Sequence, residues 1–150
     1  MRRSWLLLLP LALFACESPT GPDPRSQLDA AKALWAAHGG ASYSFKLSRG
    51  CFCVLSSRPI TITVENGSVV WAEYADSKAP VEAAWLSYLQ TVPDLFDVID
   101  DAITRKAASL SASYDRFYGF PTRIAIDYSA TTADDELAFT ASDFSLSHAP

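Results

Sequence analysis

The chain has 150 residues, with 12 Lys and Arg against 17 Asp and Glu, for a formal charge of −5. An acidic balance excludes nucleic acid as an expected partner and argues against electrostatic docking on anionic lipid, because both need a basic patch. The length suits one domain with a real core.

The first 16 residues read "MRRSWLLLLPLALFAC". Arg2 and Arg3 make a positive start, and the apolar run Trp5 to Phe14 is too short to span a bilayer. Leu13-Phe14-Ala15-Cys16 resembles a bacterial lipobox, in which a small residue precedes a cysteine that is lipidated and becomes the new N-terminus. Phe14 is bulkier than the usual residue there; an ordinary signal peptide cut near Ala15 is the alternative. Acyl chains on Cys16 would anchor the protein stably, each buried CH₂ contributing about 0.8 kcal/mol. Glu17 stands where an aspartate would resemble an inner-membrane retention signal, so an outer-membrane location stays open. Loss of residues 1–15 leaves 135 residues with ten basic and 17 acidic side chains, a formal charge of −7. Residues 16–25, with the proline-rich "ESPTGPDPR", read as lipidated cysteine and tether, 26–146 as a single domain, and 147–150 as a tail.

In the domain, "SQLDAAKALWAAHGG" predicts a helix. Ser26 and Asp29 match a capping box, Leu28, Ala31, Leu34 and Trp35 share a face, and Gly39-Gly40 stops it as a left-handed cap would. His38 falls in the last turn, where a cation favours the helix end. "SYSFKLS" alternates, with Tyr43, Phe45 and Leu47 facing in. "PITITVENGSVVWAEY" predicts a hairpin around Asn66-Gly67, pairing Val64 with Val69 and Ile62 with Trp71. That register puts Val70, Ala72 and Tyr74 on the opposite, outer face.

"PVEAAWLSYLQTVPDLFDVIDDAITRKA" predicts a short helix and then a longer one, capped by Thr91 with Asp94 three residues on. Leu95, Ile99, Ala102 and Ile103 form its buried stripe, with Phe96 beside it. Asp94, Asp97, Asp100 and Asp101 read as a solvated face near the helix start rather than a metal site. Three more strands follow: "SLSASYD", "TRIAIDYS" after the turn "RFYGFP", and "ELAFTASDFSL", built on Leu137, Phe139 and Ala141. The fold class is α+β: an antiparallel sheet of about six strands with helices on one face, suggesting two α-β-β-β halves. The arrangement resembles the tandem helix-and-sheet repeats of beta-lactamase inhibitory proteins, an analogy of architecture that does not fix function.

Tyr43, Phe45, Arg49, Cys51 and Cys53, the Asn66-Gly67 hairpin, Leu95, Phe96 and Ile99, then Tyr114, Asp115, Gly119, Pro121, Asp127 and Asp135 occur in order along about residues 41–146. This pattern resembles a group of bacterial envelope lipoproteins carrying a domain of unknown function. Val54 departs from it, standing where a proline is expected after the second cysteine. The resemblance implies a lipoprotein of the cell envelope and brings no activity, ligand or catalytic residue.

Two places carry candidate chemistry. With Cys16 lipidated, Cys51 and Cys53 have only each other as intrachain partners. Residues i and i+2 of a strand lie about 6.6 Å apart, so a disulfide needs a kink, which Gly50 permits. A local structural disulfide, a redox-active pair favoured by Arg49, and a soft-metal site for Cu(I) or Zn²⁺ are the three readings. The aromatic turn with Tyr114, Asp115, Tyr118 and Phe120 is either a turn that fills the core edge or a surface that stacks on a ligand. Tyr74 on the outer sheet face is a further binding candidate. There is no Gly-x-Ser-x-Gly elbow, phosphate loop or Rossmann fingerprint, so no catalytic residue and no cofactor is expected. The sequence reads as a lipid-anchored envelope protein acting as a binding or structural module through an envelope protein or a small ligand. Redox or metal handling at Cys51 and Cys53, and inhibition of an envelope enzyme, are the alternatives.

Overall fold

The computed structural model describes residues 23–51, 53–56, 58–132 and 135–147. The leader, Cys16 and most of the expected tether lie outside them. Helix α1 (Pro24–His38) leads into β1 (Tyr43–Gly50), β2 (Ile60–Glu65) and β3 (Ser68–Tyr74). A 3₁₀ turn (Ala83–Tyr88) and α2 (Val92–Thr104) lead into β4 (Ser109–Tyr114), β5 (Pro121–Asp127) and β6 (Glu136–Leu146). The six strands form one sheet in the order β3-β2-β1-β6-β5-β4, antiparallel at every junction. Each half is a helix followed by a three-strand meander, and the halves join where β1 pairs with β6.

Alternation along the strands builds the core. Tyr43, Phe45 and Leu47 of β1, Ile60, Ile62 and Val64 of β2, and Ile124 and Ile126 of β5 are buried with Leu28 and Ala31 of α1 and Leu95, Phe96, Ile99 and Ala102 of α2. The second helix starts as its sequence demands. Thr91 Oγ1 accepts from the Asp94 N–H, and the Asp94 carboxylate accepts from the Thr91 N–H at 2.8 Å, closing a capping box. Tyr43 reaches the same helix start from β1. Its hydroxyl accepts from the Val92 N–H at 2.9 Å in a buried setting, and burial raises the pKa of its phenol. Arg25 pairs with Asp100, tying α1 to α2.

Several sequence expectations need correction. Helix α1 begins earlier than the Ser26–Asp29 box implies: Asp23 is its cap, accepting from the Ser26 N–H at 3.1 Å. Pro24 supplies a φ suited to the first helical position, so Pro24 and Arg25 belong to the helix rather than to a tether ending at residue 25. Gly39 is extended, with φ −73°, not left-handed; a side chain there would sit 2.5 Å from the Trp35 ring.

The hairpin keeps its turn but not its register. Glu65 faces Ser68 and Val64 faces Val69 as expected, but Thr63 faces Trp71 and Ile62 faces Ala72. Val70 is the extra residue of a β-bulge, and beyond it the strand changes phase. Ala72 is therefore buried, Tyr74 packs against the core, and Trp71 faces solvent at 50% exposure. The turn fixes only the first pairs. A buried Trp71 would also need a partner for its indole N–H, whereas Ala72 needs none. A second bulge lies in β6, where two residues face Phe45 between the pairs Lys46–Ser142 and Ser44–Ser145. Asp143 takes φ +54° there, and Phe144 turns onto the covered face.

Gly119 takes φ +80°, and a Cβ on it would lie 2.3 Å from the Ala31 carbonyl oxygen. Gly67 has the same φ but nothing within 4 Å. Urea unfolding should therefore show Gly119→Ala losing about 2–4 kcal/mol, from strain plus the clash with α1, while Gly67→Ala loses only about 1 kcal/mol.

Candidate functional site

The two sequence-predicted sites stand at opposite ends of the sheet. Gly50 closes β1, and Cys51 and Cys53 follow in a bend. The aromatic turn lies at the start of β1, where Tyr118 packs on Phe144 and Phe144 packs on Tyr43. Along the eight residues of β1 the ends are separated by about 23 Å, at a strand rise near 3.3 Å. The two groups do not form one site.

At the cysteine end, the chain leaves strand geometry at Gly50, and the Cα atoms of Cys51 and Cys53 are 5.2 Å apart. That is inside the disulfide range and shorter than the spacing of an uninterrupted strand. Arg49 alternates onto the covered face, opposite Phe139, and its guanidinium lies 5.9 Å from that ring's centre. It donates to the Tyr88 carbonyl at 3.2 Å, while its Nε–H is buried without a hydrogen-bond partner. Burial lowers its pKa. Among the described residues no carboxylate forms an ion pair with it. Gln90 donates to the same Tyr88 carbonyl and leaves its own Oε1 buried and unpaired. The sequence marks Arg49 only as a neighbour of the cysteines; the 3₁₀ turn that receives it comes from a distant segment.

The aromatic turn is built as structure. Asp115 Oδ1 accepts from the Phe117 N–H at 2.9 Å and the Tyr118 N–H at 2.7 Å, holding the loop. Phe120 is buried and stacks on Phe144, and Tyr118 is half-buried on the same ring. Tyr114 is half-buried at the end of β4, and burial raises its pKa. Of the named candidates, Phe120 is thus a core residue and Asp115 a turn residue. The exposed aromatic here is Phe117, whose ring stacks on His38 at 4.7 Å. Tyr74, expected on the outer face, lies on the covered side with Arg58 3.9 Å from its ring centre.

The acidic residues of α2 have separate tasks. Asp94 completes the cap, Asp100 meets Arg25, and Asp101 accepts from the Tyr128 hydroxyl at 3.0 Å and from Arg105 at 3.3 Å. Burial first, and then the Asp101 contact, raises the Tyr128 pKa. Among the described residues no three His, Cys, Asp or Glu side chains gather in a way that could hold a metal ion.

Strand pairing lays polar side chains across the face away from the helices. Ser113, Arg123, Thr140 and Ser48 stand side by side across β4, β5, β6 and β1. Ser145, Ser44, Thr63 and Trp71 make a second row across β6, β1, β2 and β3. Sequence reasoning missed this face, because Trp71 joins it only through the bulge.

A family profile described as a family of unknown function, DUF6174, matches residues 27–146. The chain belongs to that family. The match spans the structure from α1 to the last residue of β6, so the DUF6174 domain is the whole helix-and-sheet unit. No curated protein and no solved structure matches the chain.

Intact mass and thiol labelling of the full chain test the cysteine geometry. A closed bridge predicts a rise of two hydrogens on reduction and no labelling of Cys51 or Cys53 beforehand. Two labelled thiols, or a bound Cu or Zn ion lost on chelation, would contradict it.

Proposed function

We propose that this DUF6174 protein is exported and held at a bacterial membrane by lipid on Cys16, where its domain works as a binding or structural module rather than as an enzyme. Support for the anchor is the leader: two arginines, a short apolar run and Ala15-Cys16 in lipobox order. Among the described residues no helix is long and apolar enough to cross a membrane.

The observation that carries the module reading is the open sheet face, with its rows of hydroxyls and Trp71 at 50% exposure. The face mixes hydroxyls with the long charged side chains of Lys46, Glu73 and Arg123, and an exposed tryptophan supplies an anchor with one polar group. Three of the acids have structural tasks: Asp94 caps a helix, Asp115 holds a turn, and Asp101 meets Tyr128 and Arg105. In this reading Cys51 and Cys53 form a local disulfide that ends β1, as an oxidising compartment favours.

A second reading keeps one specific support. Arg49 is a half-buried cation two residues before Cys51, and a nearby cation stabilises a thiolate. Redox or soft-metal handling would start from there.

Cell fractionation tests the anchor. The full chain should sediment with membranes and take up a fatty-acid label, and Cys16→Ser should lose the label and move to the soluble fraction. An unlabelled wild-type chain in the soluble fraction would overturn the anchor. For the module, a photo-crosslinking side chain at Trp71 or Thr140 in intact cells should give an adduct of discrete mass. No adduct at either position would contradict it.

A further inference from the structure

The two edges of the sheet are finished differently. Beyond β3 the chain folds back and covers the end of its edge: the Val81 N–H donates to the Ala72 carbonyl, the Tyr74 N–H donates to the Ala79 carbonyl, and Pro80 bridges Glu73. Proline and a covering segment are standard protections of an edge strand. At the other end β4 has neither. Among the described residues it pairs with β5 alone. Its six residues, Ser109–Tyr114, read SLSASY, with no charge, no proline and no glycine. The irregularity in the β4–β5 ladder is an extra residue, Thr122, on β5, so β4 itself stays regular.

The ground beside this edge is prepared as well. A groove between the helices and β4 is lined by Gln27, Ile99, Leu110, Ala112 and Tyr114, and a neighbouring one runs past Ile103 and Ala107 with Asp23 and Lys106 at its sides. Leu110, Ala112 and Tyr114 are only half-buried, unlike their counterparts in β5. An added strand would lay alternate side chains into these grooves while its backbone satisfies the free edge.

We propose that the β4 edge pairs with the β4 edge of a second copy of this chain, joining two sheets into one of twelve strands. The sequence is self-complementary in that arrangement. An antiparallel pair centred on Ala112 sets Leu110 against the partner's Tyr114 and Ser111 against the partner's Ser113. Apolar residues then meet on the covered face and hydroxyls on the open face. The chain carries a net charge of −5, yet this strand carries none, so no like charges stand directly opposite in the paired strands. A two-fold axis normal to the sheet places both helix layers on one side and brings the two sets of grooves together, the self-matching contact of a symmetric dimer. Asp23, at the start of α1, lines the neighbouring groove, so the two α1 starts lie on the same side of the joined sheet. The pairing does not depend on whether Cys16 carries lipid.

Disulfide trapping and mass measurement on the full chain in detergent test the pairing. Paired residues across an antiparallel ladder have Cα atoms about 4.5–5.5 Å apart, within disulfide reach. With mild oxidant, Ala112→Cys should form a covalent dimer at least about tenfold more readily than the unmodified chain or Ser68→Cys on the β3 edge. Equal trapping from Ser68→Cys, or none from Ala112→Cys, would overturn the proposal. Ser111 is exposed, so Ser111→Lys should leave the circular dichroism unchanged while setting like charges close across the axis. Sedimentation should then show a dimer dissociation constant raised at least about tenfold. A wild-type chain that stays monomeric at all concentrations, or a Ser111→Lys dimer of unchanged affinity, would overturn it even if Ala112→Cys failed to fold.

Discussion

The pairing of β1 with β6 is the constraint on which the rest of the fold depends. It joins residues about a hundred positions apart, from Tyr43 with Leu146 at one end to Gly50 with Ala138 at the other. Each half could form its own meander from local turns, but a three-strand sheet buries little. Only the β1–β6 junction makes a surface wide enough for two helices. The core crosses it: Tyr43 and Phe45 of β1 share a cluster with Phe139 and Ala141 of β6 and with both helices. The Tyr43 hydroxyl meets the first turn of α2, so the start of β1 also positions the helix of the second half.

Both candidate ends inherit their form from this junction. The β6 bulge at Asp143 and Phe144 puts an aromatic ring among Trp35, Tyr43, Tyr118 and Phe120, and the turn at Asp115–Phe120 closes over it. Gly119 then brings that turn against the backbone of α1. At the far end, β1 stops at Gly50 beside Ala138, and the cysteines occupy the bend that follows. The aromatic turn is thus a clasp for the helix layer. At the cysteine end a guanidinium is held by a carbonyl rather than a carboxylate.

Period and punctuation made most of this legible in the sequence. Alternation gave the inward residues of β1, β2 and β6, the Asn66-Gly67 pair gave its turn, and Thr91 with Asp94 gave the start of α2. Local patterns failed where one extra residue resets the phase of a strand. The Val70 bulge exchanged the faces of Trp71 and Ala72, and with them the expected place of Tyr74. Nothing in the spacing of apolar residues marks such a bulge, because either phase buries a plausible set. The partners of Arg49 were hidden for another reason: Tyr88 lies 39 positions away on a turn whose docking is set by the whole sheet.

Hydrogen exchange on the full chain tests the central role of the β1–β6 junction most directly. If the junction unites the halves, the amides of Phe45, Leu47, Phe139 and Ala141 exchange only through global unfolding and respond to denaturant with the full unfolding slope. Faster exchange at these amides, with β2–β3 and β4–β5 still protected, would mean that the halves open at the seam and stand separately. That result would contradict the account.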